Sequence, residues 1–126
     1  MEKDWERAIV KRDLDAVRRL MEQGVVIDSK DRYGQTALMI AATRGHTEVV
    51  RLLVQKGAGL NTTAKYNLSA LMLAVINGHE EIVRILAEAG ADRQIRGSGA
   101  PGFWEKTALQ LADDAGREEI ASILRQ

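Results

Sequence analysis

Laid against itself at an offset of 33 residues, the chain matches in register over two full segments, one starting at Asp31 and the next at Ala64. Thr36 falls on Ser69, Leu38 on Leu71, Ala41 on Ala74, Gly45-His46 on Gly78-His79, Val49-Val50 on Ile82-Val83, and Gly57-Ala58 on Gly90-Ala91. Running backwards, the register places Trp5 at the Leu38 position, Ala8 at Ala41, Leu20 at Leu53 and Gly24 at Gly57. Running forwards, it resumes after a slip of five residues, with Thr107, Leu109, Ala112, Gly116, Ile120 and Leu124 in the corresponding places. A repeat of this length constrains the fold more than any other feature. Each unit is too small to bury its own apolar face, so successive units must stack.

Each unit reads as two short helices. Thr36, Ser69 and Thr107 are predicted N-caps, because a hydroxyl can accept from a free N–H of the first turn. Leu38, Ala41 and Ala42 recur at i, i+3 and i+4, on one helical face. Gly45, Gly78 and Gly116 follow where a helix end needs a left-handed residue. The second helix carries Val49, Val50, Leu52 and Leu53 and their counterparts, and Gly24, Gly57 and Gly90 end it. Helices of roughly ten residues are marginal alone in water, so each must pack on a neighbour. The alanines at 8, 41, 74 and 112 let the first helices of successive units approach closely. Trp5, in place of a core leucine, is expected to seal the first unit.

These residues resemble the ankyrin repeat, whose signature appears as Thr36-Ala37-Leu38-Met39-Ile40-Ala41, Ser69-Ala70-Leu71-Met72-Leu73-Ala74 and Thr107-Ala108-Leu109-Gln110-Leu111-Ala112. The Gly-His pair, the paired Val and Leu of the second helix and the closing Gly-Ala also look like the family. The resemblance implies an all-α, ankyrin-type solenoid of four stacked helix-turn-helix repeats, with capping repeats at both ends and turns projecting on one side. It reads as one domain over 1–126, with repeats at about 1–30, 31–63, 64–96 and 97–126 and a Gly-rich insertion at 97–101. Some positions depart from the pattern. Ala stands for the signature Pro, and Met or Gln for its His, which removes the Thr–His bonding between repeats that the family uses. Arg12 occupies the place of the helix-ending Gly in the first unit. In the third unit's turn, Ala64 replaces the usual Asp and Asn67 the usual Gly.

Composition narrows the function. The 18 basic and 18 acidic residues cancel, whereas a nucleic-acid binder carries a basic excess, so no nucleic acid is expected as partner. No apolar run is long enough to span a membrane, and the N-terminus has no signal-peptide core. The chain has no cysteine, which fits a cytoplasmic protein.

No constellation of groups calls for catalysis. His46 and His79 sit one repeat apart, too far to share a zinc; the resemblance implies that each opens a second helix and bonds to loop backbone. Asp113-Asp114 and Glu118-Glu119 are adjacent pairs, expected on a solvated helix face. The stretch Gly97 to Gly102 lacks the Gly-Lys-Ser/Thr ending of a phosphate loop. Asn61-Thr62-Thr63 and Asn67-Leu68-Ser69 match glycosylation sequons, which go unused without secretion. The reading is therefore not an enzyme, with no cofactor and no metal.

Binding residues come from the resemblance, which assigns contact to turn tips and to exposed first-helix residues on the concave side. These are Arg32, Tyr33 and Gln35; Lys65, Tyr66 and Leu68; Thr43-Arg44 and Ile76-Asn77; and Phe103, Trp104 and Lys106. Tyr33, Tyr66 and Trp104 share one turn position in three successive units, and such side chains are favoured hot spots. Arg32, Lys65 and Lys106 flank them, which points to an acidic or extended protein partner. Leu68 and Ile76 are expected to be exposed. The expected function is a protein-interaction module, acting as adaptor, scaffold or inhibitor and working as a monomer, with self-association through the apolar ends of a short stack as the other possibility. The alternative is an engineered or purely structural scaffold without a natural partner, against which the irregular first unit and the insertion argue.

Overall fold

The computed structural model describes every residue from Met1 to Gln126. Its eight helices come in pairs: α1 (Lys3–Val10) with α2 (Leu14–Glu22), α3 (Ala37–Arg44) with α4 (Thr47–Gln55), α5 (Ala70–Ile76) with α6 (Glu80–Glu88), and α7 (Ala108–Asp114) with α8 (Glu118–Arg125). The first helices pack in the order α1, α3, α5, α7 and the second helices in the order α2, α4, α6, α8, giving two layers of a solenoid. No helix is long and apolar enough to cross a membrane.

The caps follow the sequence expectation. Thr36, Ser69 and Thr107 hydroxyls accept from the amides of Met39, Met72 and Gln110. Thr36 and Ser69 are buried with these bonds made, which avoids the cost of a buried, unpaired hydroxyl. At Thr107 the Gln110 side chain returns the bond and completes a capping box. Thus Gln110, which stands at the family's His position, closes its own helix rather than bonding to a neighbouring repeat.

Small residues set the spacing between units. Ala8, Ala41, Ala74 and Ala112 are all buried between first helices, where a larger side chain would force them apart. Leu38 and Leu71 fill the space between the two layers with Val49, Val50, Leu53, Ile82, Val83 and Leu86. Trp5 is wholly buried and closes the core at the first unit, with its indole N–H unpartnered.

The turn between the two helices of a unit needs a left-handed residue, and three units place Gly45, Gly78 and Gly116 there. In the first unit Arg12 takes the same conformation, at φ 55°. The irregular position therefore keeps the turn and bears the steric strain of a Cβ in the left-handed region. Gly45 has a second reason to lack a side chain: a Cβ there would lie 2.6 Å from His79 Cε1.

That proximity reflects a ladder between repeats. His46 Nε2 lies 3.1 Å from the Val10 carbonyl, and His79 Nε2 lies 3.0 Å from the Thr43 carbonyl. A carbonyl only accepts, so Nε2 carries the proton in both rings. The insertion shifts the corresponding residue to Arg117, whose guanidinium donates to the Ile76 carbonyl at 3.0 Å. These carbonyls close the first helices, where no further intrahelical N–H can reach them. The histidines do open α4 and α6, but their rings bond the preceding repeat's helix end rather than a loop.

The third unit's turn departs from the second's, and its chemistry explains the difference. In the second unit the Asp31 carboxylate accepts from the amides of Tyr33 and Gln35, and Gly34 takes the positive φ. Ala64 offers no acceptor. The chain instead forms a single 3₁₀ turn over Lys65–Asn67, with both Tyr66 and Asn67 at positive φ. This turn sends Leu68 inward: it is only 5% exposed and belongs to the core, contrary to the expectation of an exposed contact. Ile76 is likewise half-buried against the core rather than exposed.

Candidate binding surface

The chain has four exposed large apolar side chains: Val26, Tyr33, Tyr66 and Trp104. Three of the four are the column singled out by the repeat register, so the turns carry nearly all of this surface. Their environments differ. Tyr33 and Trp104 are 62% and 61% exposed, while Tyr66 is 36% exposed. Tyr66 is held because the Phe103 ring packs on it, with centroids 5.4 Å apart and planes tilted by 45°.

Phe103 arrives there through the insertion. The Gly97 amide donates to the Lys106 carbonyl and the Glu105 amide to the Gly97 carbonyl, which closes the segment into a loop at the base of the fourth unit. The Ser98 amide donates to the Tyr66 carbonyl at 2.8 Å, and the Asn67 side-chain amide donates to the Arg96 carbonyl at 2.9 Å. Gly97 is buried where a Cβ would run into the Phe103 carbonyl. Only glycine allows the two ends of the loop to meet. The loop thus folds back on the third unit's turn, with Phe103 half-buried and Trp104 pointing out at its tip.

The charged residues sort in the same way. The Arg32 guanidinium stands 4.9 Å from the Tyr33 ring centroid, and Lys65 Nζ stands 4.9 Å from that of Tyr66. Each cation lies over the neighbouring ring, which holds a long side chain at the surface. Arg32, Arg44 and Lys65 enter no ion pair. Lys106 is different, since its ammonium is paired with Asp114. Asp113 pairs with Arg125 at 2.8 Å. Both carboxylates of this adjacent pair are exposed, as expected of a solvated helix face, with Asp114 paired toward the loop and Asp113 toward α8. Asn77 is exposed, but its side chain bonds back to the Leu73 carbonyl at 2.8 Å.

Between Tyr33 and Tyr66 lies a hollow of about 520 Å³ with walls of Gln35, Thr43, Ala64, Lys65, Leu68 and Leu73. Leu68 forms part of its floor. A second hollow of about 280 Å³ adjoins it and shares Tyr33, Gln35 and Thr43, with Glu6, Val10, Asp31, Ile40 and Arg44 beyond. The two make one groove across α1, α3 and α5, with Tyr33 as the ridge. Leu73, Ile40 and Ala64 are wall residues that the turn-tip reading missed. The signal was present: Ile40, Leu73 and Leu111 share the variable place of the repeat signature, and all three are apolar.

Two layers of paired helices, a hydroxyl cap at the matching place of three units and a groove on the turn side define a solenoid of helical hairpins. The model of ankyrin repeats (3 copies) matches residues 6–97, and the chain belongs to this family. Ankyrin repeats are in general protein–protein interaction modules. The matched region stops where the insertion begins, yet α7 and α8 continue the stack beyond it. A comparison with curated proteins gives no match.

Proposed function

We propose that the protein works as an interaction module that binds a partner protein on its turn side, as an adaptor, scaffold or inhibitor in the cytoplasm. The observation that carries this reading is the concentration of exposed aromatic side chains, Tyr33, Tyr66 and Trp104, on one turn column beside an apolar groove. Aromatic side chains with a polar handle contribute most of the energy at many interfaces. A stable interface needs roughly 800 Å² on each partner, an area that turns and first helices of four units can offer together. The contact set is Arg32, Tyr33, Gln35, Arg44, Lys65, Tyr66 and Trp104, with Leu68, Ile76, Asn77, Phe103 and Lys106 supporting it from behind.

The test is affinity capture from the source cells with the full chain and with a Tyr33→Ala/Trp104→Ala variant. Both side chains are mostly exposed, so the variant should melt like the parent. A specific partner should be captured by the parent and lost by the variant. Equal capture by both would overturn the reading. Replacing Tyr66 is less informative, because its ring also anchors Phe103.

A further inference from the structure

Resting on that reading, we infer that the groove takes an extended acidic segment of the partner, about six residues long, with one large apolar side chain seated between Tyr33 and Tyr66. Four observations carry this.

The first is the shape of the hollow. At about 520 Å³, walled by Leu68, Leu73, Ala64 and two tyrosine rings, it accepts a side chain rather than a folded surface. Burying one large apolar side chain there gives the partner an anchor.

The second is charge. The only charged residue in its wall is Lys65. Arg32 and Arg44 stand beside the adjoining Tyr33 and Thr43, and neither these nor Lys65 has an ion-pair partner. The neighbouring hollow holds two carboxylates, Asp31, which already accepts the Tyr33 and Gln35 amides, and Glu6 on α1, so the acidic part of the ligand belongs over Arg32, Arg44 and Lys65 and not at the α1 end.

The third is the substitution that shapes this turn. The second unit's turn begins with Asp31, but the third unit has Ala64 at the matching place. The one carboxylate that the repeat pattern would put in this wall is missing, and the hollow gains a methyl group instead. An acidic ligand therefore meets no repulsion there, and like-charge contact is a strong source of discrimination.

The fourth is length. The insertion closes the groove at the fourth unit, where Phe103 packs on Tyr66 and the Ser98 amide bonds to the Tyr66 carbonyl. Three units are separated by two spacings of roughly 8–10 Å, which leaves a path of about 20 Å. An extended chain rises about 3.3 Å per residue, so about six residues fill it.

The experiment selects a random peptide library displayed on phage against the full chain, and then measures the selected peptides in solution. Selected peptides should combine acidic residues with one large apolar residue, and binding should weaken with added salt. Lys65→Glu should weaken them about fivefold, and peptides with a lysine in place of one acid should regain affinity for that variant. Arg32→Glu should also weaken them while leaving the melt cooperative, because Arg32 is exposed and makes no ion pair. Selected peptides without acidic bias, or with equal affinity for the parent and both variants, would overturn the inference. So would failure to select any peptide. In either case a partner captured through Tyr33 and Trp104 would leave the interaction-module reading standing. Loss of both results would remove both.

Discussion

The Nε2–H of His79 donates to the carbonyl of Thr43, a residue of the preceding repeat, at 3.0 Å. His46 does the same to Val10, one repeat earlier. The bond is local in space but spans 36 residues of sequence, so it couples neighbouring units directly. In a one-dimensional stack, such interfaces between units decide whether the array melts as a whole. His79→Ala should cost about 1 kcal/mol, a typical net value for a part-buried hydrogen bond. Urea unfolding should show the loss as a lower midpoint. An unchanged midpoint would mean that the bond contributes nothing to coupling.

Arg12 offers a change in the opposite direction. It holds φ 55° where three other units use glycine, and none of its side-chain atoms makes a hydrogen bond that would be lost. Arg12→Gly should stabilise the protein by about 1 kcal/mol through relief of left-handed strain, partly offset by the greater freedom of glycine in the unfolded chain. Thermal melting should move upward. A downward shift would show that Arg12 contributes through contacts its geometry does not suggest.

The insertion depends on one close approach. Gly97→Ala places a methyl group against the Phe103 carbonyl, and overpacking of this kind costs about 1–3 kcal/mol. The loop should detach from Tyr66 while α3–α6 keep their packing. Limited proteolysis within 97–106 should accelerate, with the main helical melt little changed. Cleavage at the parental rate would contradict the packed loop.

The two tryptophans report on different places. Trp5 is wholly buried and Trp104 is 61% exposed. In a Trp104→Phe variant the remaining emission should be blue-shifted and resist acrylamide. In a Trp5→Phe variant it should be red-shifted and readily quenched. The same pattern in both variants would contradict the assignment of Trp5 to the core.

The residues that were legible in the sequence are those whose role is fixed within their own unit. A cap such as Ser69 needs only its own first turn. An alanine such as Ala74 needs only the same column one repeat away. At Arg12 the register marks the place of the missing glycine, but only the structure shows that the arginine itself takes the left-handed conformation. The harder cases depend on what a substitution leaves undone. Ala64 cannot accept as Asp31 does, so the turn rebuilds around Tyr66 and Asn67 and carries Leu68 into the core. Family geometry alone placed Leu68 outside. The path of the insertion was illegible for a related reason: no column predicts that Phe103 reaches Tyr66, or that Lys106 meets Asp114. Both contacts lie outside the periodic pattern.

The central claim is that binding occurs on the turn side of the stack, and amide chemical-shift mapping tests it most directly. With the captured partner added to labelled protein, the largest shifts should fall on residues 32–35, 43–44, 64–68 and 73–77. The outward faces of α4, α6 and α8 should change little. Shifts concentrated on those second helices, with the turns unmoved, would contradict the account.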